Sequence, residues 1–181
     1  MDSPFMDAIS HAIAEARIEV IRFEFEYMAK RRKDGRRRGP DRAATLIVRF
    51  KEVLNLVGPS AGVVIGGKSL GGRIASMIAD EVGAAGVVCL GYPFHAPGKP
   101  EQLRTDHLEA LKTPTLIVQG TRDRFGTEEE VATYSLSPAI ELAWIEDGDH
   151  SLKPRKKSGI TLAQNLDAAA DALVSFVRHR G

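Results

Sequence analysis

The stretch Ala61-Gly-Val-Val-Ile-Gly-Gly-Lys-Ser-Leu-Gly-Gly72 satisfies two unrelated catalytic motifs at once. From Gly62 it reads G-x-x-x-x-G-K-S, a loop that cradles nucleotide phosphates. From Gly67 it reads G-x-S-x-G, the sharp strand-to-helix turn that exposes a nucleophilic serine. A phosphate loop needs a strand before its first glycine and four residues able to curl around an anion. Here those four are Val63, Val64, Ile65 and Gly66, and the three β-branched ones suit a buried strand instead. Gly58-Pro59-Ser60-Ala61, just upstream, is a turn without any apolar run. The serine turn fits better. It predicts a strand over 62–67, a strained elbow at Ser69 and a helix from about Leu70. Gly67 and Gly71 flank the serine, with Gly66 and Gly72 beyond, where the chain must pass close to itself.

Around that stretch, apolar periodicity alternates between the two regular elements. Ser3-Pro4 starts a helix whose face is Phe5, Met6, Ile9, Ala12, Ile13 and Ala16. A strand is expected over 18–25, then an arginine-rich polar loop to Asp41. A second helix follows, marked by Leu46, Ile47, Phe50, Val53, Leu54 and Val57. After the elbow helix come strands over 85–90, 114–119 and 140–145. A helix at about 127–135 separates the last two, and a closing helix spans about 160–178. Strands separated by helices imply a parallel sheet covered on both faces. At 181 residues the chain reads as one domain, 1–181, large enough for a core without cross-links.

Composition narrows the function classes. The net charge of +1 gives no global pull toward nucleic acid or an anionic membrane. No apolar run approaches the length of a membrane span. No basic-then-apolar leader opens the sequence, so the cytoplasm is the expected compartment. The single cysteine, Cys89, lies in Val87-Val88-Cys89-Leu90 and reads as a small core residue. There is no His-x-x-x-His or paired-cysteine spacing, so neither a metal nor a cofactor is expected.

Five segments together resemble a known family. They are Arg22-Phe-Glu-Phe-Glu-Tyr27, Gly66-Gly-Lys-Ser-Leu-Gly-Gly-Arg73, Gly91-Tyr-Pro-Phe-His95, Gln119-Gly-Thr-Arg-Asp123 and Gly148-Asp-His-Ser-Leu152. In this order they resemble small α/β-hydrolases. More narrowly, they resemble the dienelactone-hydrolase-like group that includes testis-expressed hydrolase-like proteins and a subunit of a histone-acetyltransferase complex. The resemblance implies a three-layer α/β fold with a mostly parallel sheet and a Ser–acid–His triad. It matches Ser69 to the nucleophile, Asp123 to the acid and His150 to the base. A serine hydroxyl is a poor nucleophile until an imidazole takes its proton, and a carboxylate must hold that imidazole in the right tautomer. All three residues follow strands, which brings them to the carboxyl edge where such sheets bind ligands.

Rival readings accompany each assignment. His150 could cap the closing structure, and Asp123 could be a turn former between Arg122 and Arg124. Asp147 and Asp149 are competing acids, but as sequence neighbours of His150 they would have to fold back to orient it. Phe94 and His95, in the loop after strand 85–90, are the candidate substrate-pocket residues, with surface polarity the plainer role for His95. The implied substrate is a small ester, thioester or lactone. The alternative is an inactive hydrolase-like scaffold that binds a protein partner.

The family core has a strand before the first helix, ending in a loop that supplies one oxyanion donor. The other donor is the N–H after the nucleophile, here Leu70. This sequence starts directly in the helix, so the fold is expected to lack its N-terminal strand, which would lie between 18–25 and 62–67. An exposed sheet of that kind favours a homodimer. The cationic run Lys30-Arg-Arg-Lys33, Arg36-Arg-Arg38 and Arg42 follows the expected strand 18–25. Its plainer reading is a solvated loop; the sharper one is that, with Lys153, Arg155, Lys156 and Lys157, it rims the pocket and favours anionic substrates.

Overall fold

The structure is a computed structural model that describes residues 3–180. Its centre is a four-stranded parallel sheet in the order β1-β2-β3-β4. The strands are β1 (Val64–Lys68), β2 (Gly86–Leu90), β3 (Thr115–Gly120) and β4 (Ile140–Ile145). Register runs Ile65 to Val87, Val88 to Leu116 and Ile117 to Leu142. Every residue of β2 and β3 is buried, as strands covered on both faces must be.

Alternate strand residues feed two apolar clusters. On one face Val87, Cys89 and Ile117 meet Leu46, Phe50 and Leu54 of α3 (Ala43–Val57) and Ile74, Ala75 and Ile78 of α4 (Leu70–Val82). On the other, Val88, Leu90, Leu116 and Val118 meet Ile9 and Ile13 of α1 (Pro4–Glu15). The closing helix, named α7 below, adds Ala169, Leu173 and Phe176 to that face. Burying side chains of this size contributes roughly 1.5–3 kcal/mol each. Cys89 lies at the centre of the first cluster, fully buried, and burial pushes its thiol pKa up.

Two expectations fail near the N-terminus. Residues 18–25 form no strand. They keep a strand's alternation, since Ile18 and Val20 pack with the α1 face while Phe23 and Phe25 pack with the α3 face. A strand also needs a neighbour's backbone within hydrogen-bonding reach. β1 pairs only with β2, and no described strand lies on its outer side. The second correction concerns the arginine-rich loop, whose first part is helix α2 (Glu26–Asp34). Glu26 pairs with Lys30 one turn on, at 3.2 Å. Arg31, Arg32 and Lys33 fill the last turn, where cations favour the helix dipole, and Gly35 closes it at φ 67°. With no strand ahead of it, this segment loses the reason for placing it at the carboxyl edge. Its Arg31, Arg32, Arg36 and Arg37 instead line a cleft of about 460 Å³ with Ser3, Glu24 and Met28.

The other elements follow the sequence reading with small shifts. Two short helices are α5 (Asp106–Glu109) and α6 (Glu128–Val131), and α7 (Leu162–Arg178) closes the chain. The helix expected over 127–135 is therefore one turn only, started by a capping box between Thr127 and Glu130.

Candidate active site

Ser69 occupies the hinge between β1 and α4 at φ 52°, ψ −116°, a conformation few side-chain-bearing residues adopt. Such backbone costs on the order of 1–3 kcal/mol and persists where its surroundings fix it. One constraint is the Ser69 N–H, which donates to Leu90 O at 2.9 Å. Another is close approach, since a Cβ on Gly72 would sit 2.7 Å from Gly67 O and 3.0 Å from Cys89. The elbow reading of the sequence is therefore the observed local structure.

The loops that carry Asp123 and His150 leave the ends of β3 and β4 and pack on each other. A Cβ on Gly120 would lie 2.3 Å from Gly148 O, so the two loops meet backbone to backbone. Arg122 N–H donates to Gly148 O at 3.0 Å and Thr121 N–H to Ile145 O at 3.1 Å. This packing brings the three candidates together. His150 Nε2 is 2.9 Å from Ser69 Oγ, and His150 Nδ1 is 2.8 Å from Asp123 Oδ2. Asp123 is fully buried, and its Oδ1 accepts the Phe125 N–H at 2.9 Å.

The rival acids are engaged elsewhere. Arg155 donates to Asp147 through its backbone N–H at 2.6 Å and its Nε at 2.7 Å. Arg122 approaches the same carboxylate at 3.0 Å. The Arg155 hydrogen bond, ahead of the cationic charges, holds Asp147 down at about 2. Asp149 Oδ1 accepts the N–H groups of Ser151 and Lys153, the turn role expected for it. Arg155, counted among the rim cations, is thereby committed to Asp147.

Phe94 and His95 present almost no surface to a bound molecule, being 0% and 2% exposed. The Phe94 ring packs on Tyr92 and Tyr134. His95 Nδ1 donates to Ala96 O at 2.9 Å, and Nε2 stands 3.5 Å from Glu130. Surface polarity is thus not the role of His95.

Three residues at the site were not anticipated. Lys68 Nζ donates to His150 O at 2.6 Å and lies 4.5 Å above the Phe5 ring. Burial lowers its ammonium pKa, opposed by Asp123 and Asp149. The Phe125 ring covers the His150 imidazole with centroids 4.2 Å apart. Gln119 Nε2 reaches Asp123 Oδ2 at 2.9 Å. The one available signal was a glutamine ending an otherwise apolar strand, Leu116-Ile-Val-Gln119.

Leu70 is the first residue of α4, where backbone N–H groups lack intrahelical partners. The helix N-terminus thus lies beside Ser69 Oγ. Among the described residues, no group of three or more His, Cys, Asp or Glu is placed to hold a metal ion, and no helix is long and apolar enough to cross a membrane.

A parallel sheet between helix layers, with an elbow serine and a histidine–aspartate pair above its carboxyl edge, defines the α/β-hydrolase class. A sequence profile for an alpha/beta hydrolase domain matches residues 1–178, so the chain belongs to that family. Among solved structures it is similar to an alpha-beta serine hydrolase homologue from Coxiella burnetii. That match has 20% identity and TM-score 0.68, covering 100% of this chain and 78% of the other. It is also similar to the esterase domain of a Rhodothermus marinus protein, with 17% identity and TM-score 0.66, covering 97% and 79%. A third likeness is to an alpha/beta-superfamily protein from Xanthomonas campestris, with 19% identity and TM-score 0.65, covering 96% and 91%. At these identities the likeness speaks for the fold.

Proposed function

We propose that this hydrolase-family protein is a serine hydrolase of carboxylesterase type, cleaving a small ester, thioester or lactone. The observation that carries the reading is the unbroken hydrogen-bond path from Ser69 Oγ through the His150 ring to Asp123. Asp123 accepts a hydrogen bond from the Nδ1–H and so leaves Nε2 with its lone pair facing the hydroxyl. His150 takes the Ser69 proton as Oγ attacks the carbonyl carbon. The carbonyl oxygen then becomes an oxyanion, stabilised by the Leu70 N–H and the α4 N-terminus. Collapse of the intermediate expels the alcohol or thiol, protonated by His150, and leaves an acyl-serine. Water, deprotonated by the same imidazole, releases the acid and restores Ser69.

The implied substrate also carries an anionic group. Lys153, Lys156 and Lys157 follow His150 closely in sequence, which supports that preference. Comparing neutral and carboxylated esters at two salt concentrations tests it. Rates that are equal and indifferent to salt count against it.

A fluorophosphonate probe on the wild type and on Ser69→Ala tests the hydrolase itself. Labelling of the wild type alone is expected, with ester turnover in Ser69→Ala reduced about 10⁴-fold or more. Labelling of both, or of neither, removes the reading. The unpaired outer side of β1 favours a second reading, an inactive scaffold that docks a protein partner. An unlabelled wild type is the outcome that scaffold requires.

A further inference from the structure

Gln119 is fully buried at the end of β3, and its amide makes four hydrogen bonds to three places in the chain. Oε1 accepts the Tyr92 N–H at 2.7 Å. Nε2 faces Asp123 Oδ2 at 2.9 Å, Tyr92 O at 3.2 Å and Gly126 O at 3.2 Å. These contacts fix the orientation of the amide. Turned over, it would aim an N–H at the Tyr92 N–H, and its carbonyl at a carboxylate and two carbonyls. The orientation that satisfies every group is the one donating to Asp123.

We propose that Gln119 is a positioning residue of the triad, holding the Asp123 carboxylate in place so that His150 keeps its catalytic tautomer. The inference rests on the serine-hydrolase reading and extends it one layer below the reacting atoms. Asp123 Oδ2 is shared between the Gln119 amide and His150 Nδ1, while Oδ1 is held by Phe125. These three donors grip both oxygens, so the carboxylate cannot rotate without breaking one of the bonds. Gln119 also ties the loop after β2, through Tyr92, to the loop that carries the acid. An apolar side chain there would leave buried acceptors unpaired. The Lys68 ammonium also bears on Asp123, and both Asp123 and Asp149 favour its charged form.

The test compares wild type, Gln119→Met and Gln119→Glu. Fluorophosphonate labelling, kcat and KM on a small ester, the pH–rate profile and thermal unfolding are the measurements. In Gln119→Met, kcat is expected to fall about 10–100-fold with KM little changed, because the reacting groups shift while the substrate surface does not. Gln119→Glu keeps the shape but sets a second carboxyl against Asp123. The two carboxyls compete for one proton, which couples the new group to the Asp123–His150 pair, so the acid limb of its profile moves by about one pH unit. A purely structural role would lower the unfolding temperature without moving that limb.

If Gln119→Met does not fold, Gln119→Glu decides alone. Folded variants with kcat within about threefold of wild type and an unmoved acid limb overturn the proposal. In that case the labelled wild type leaves the hydrolase reading standing. An unlabelled wild type sinks the hydrolase reading, and the inference falls with it.

Discussion

The loops that leave β3 and β4 and the segment over 18–42 solve opposite problems. In the two loops and the strand end below them, polar groups are matched: Asp123, Asp147 and Gln119 are buried, Asp149 is half-buried, and each has two or more defined partners. Over 18–42 most polar groups face water, and attachment comes chiefly from Phe23 and Phe25 packed edge-on or tilted against Phe50. Its ion pairs, such as Lys30 with Glu26 and Arg38 with Asp34, are exposed, and pairs of that kind contribute about 0–1 kcal/mol. One region is fixed by hydrogen bonds with little freedom to differ. The other is held by apolar contact, which tolerates many backbone paths. The candidate site lies in the first kind.

Four experiments break or sharpen that contrast. Asp123→Asn should have the largest effect, lowering kcat about 10⁴-fold, since an amide cannot hold the imidazole in the same tautomer. Circular dichroism and probe labelling would separate lost chemistry from lost fold. Gly120→Ala comes next. Its new methyl group would meet Gly148 O at 2.3 Å, so the acid and base loops must part. Labelling slowed by about 10²-fold is expected, since displacements near 1 Å cost that much. Labelling at the wild-type rate would show that the loops can give way without separating the triad.

Asp147→Asn tests the matched region through stability rather than rate. The Asp147 carboxyl is lowered from 3.8 to about 2 in the folded chain. A depressed folded value means the stabilisation is complete above the unfolded value and is lost as pH falls toward the folded one. The unfolding-temperature gap between wild type and Asp147→Asn should therefore be full above about pH 4 and close between there and pH 2. A gap that does not change with pH would show that the carboxylate charge plays no part. The smallest effect is expected in the other region, where Arg36→Gln with Arg37→Gln should change stability by less than about 0.5 kcal/mol. Turnover of a neutral ester should not change. A large loss of either would mean the segment bears on the site after all.

Much of the site was legible because it depends on local chemistry. A glycine-flanked serine after an apolar strand has few structural solutions, and an aspartate and a histidine just past later strands must emerge at the same edge. β2 and β3 were equally plain, since Val87-Val88-Cys89-Leu90 and Leu116-Ile-Val118 can only be buried on both faces. Residues 18–25 misled because alternation reports which faces meet apolar groups and says nothing about a neighbouring backbone. The polarity of Lys30-Arg-Arg-Lys33 suggested a loop, although lysine and arginine are good helix formers and end a helix favourably. Gln119, Lys68 and Phe125 were hidden for a different reason. Lys68 and Phe125 touch His150, far off in sequence, and Gln119 meets Asp123 only because the loop after β3 folds back over the strand end, so only the packing of the loops reveals the partners.

The lone sulfur atom has a practical use. Cys89 is sealed directly beneath α4, the helix that starts after Ser69, within 3.0 Å of where a Gly72 methyl would stand. An alkylating reagent can reach it only when α4 lifts from the sheet, so the rate of adduct formation, followed by mass spectrometry, clocks those openings. Iodoacetamide should therefore leave the native molecule unmodified over times that suffice to modify it in denaturant. Rapid adduct formation without denaturant would reveal that the floor under Ser69 breathes.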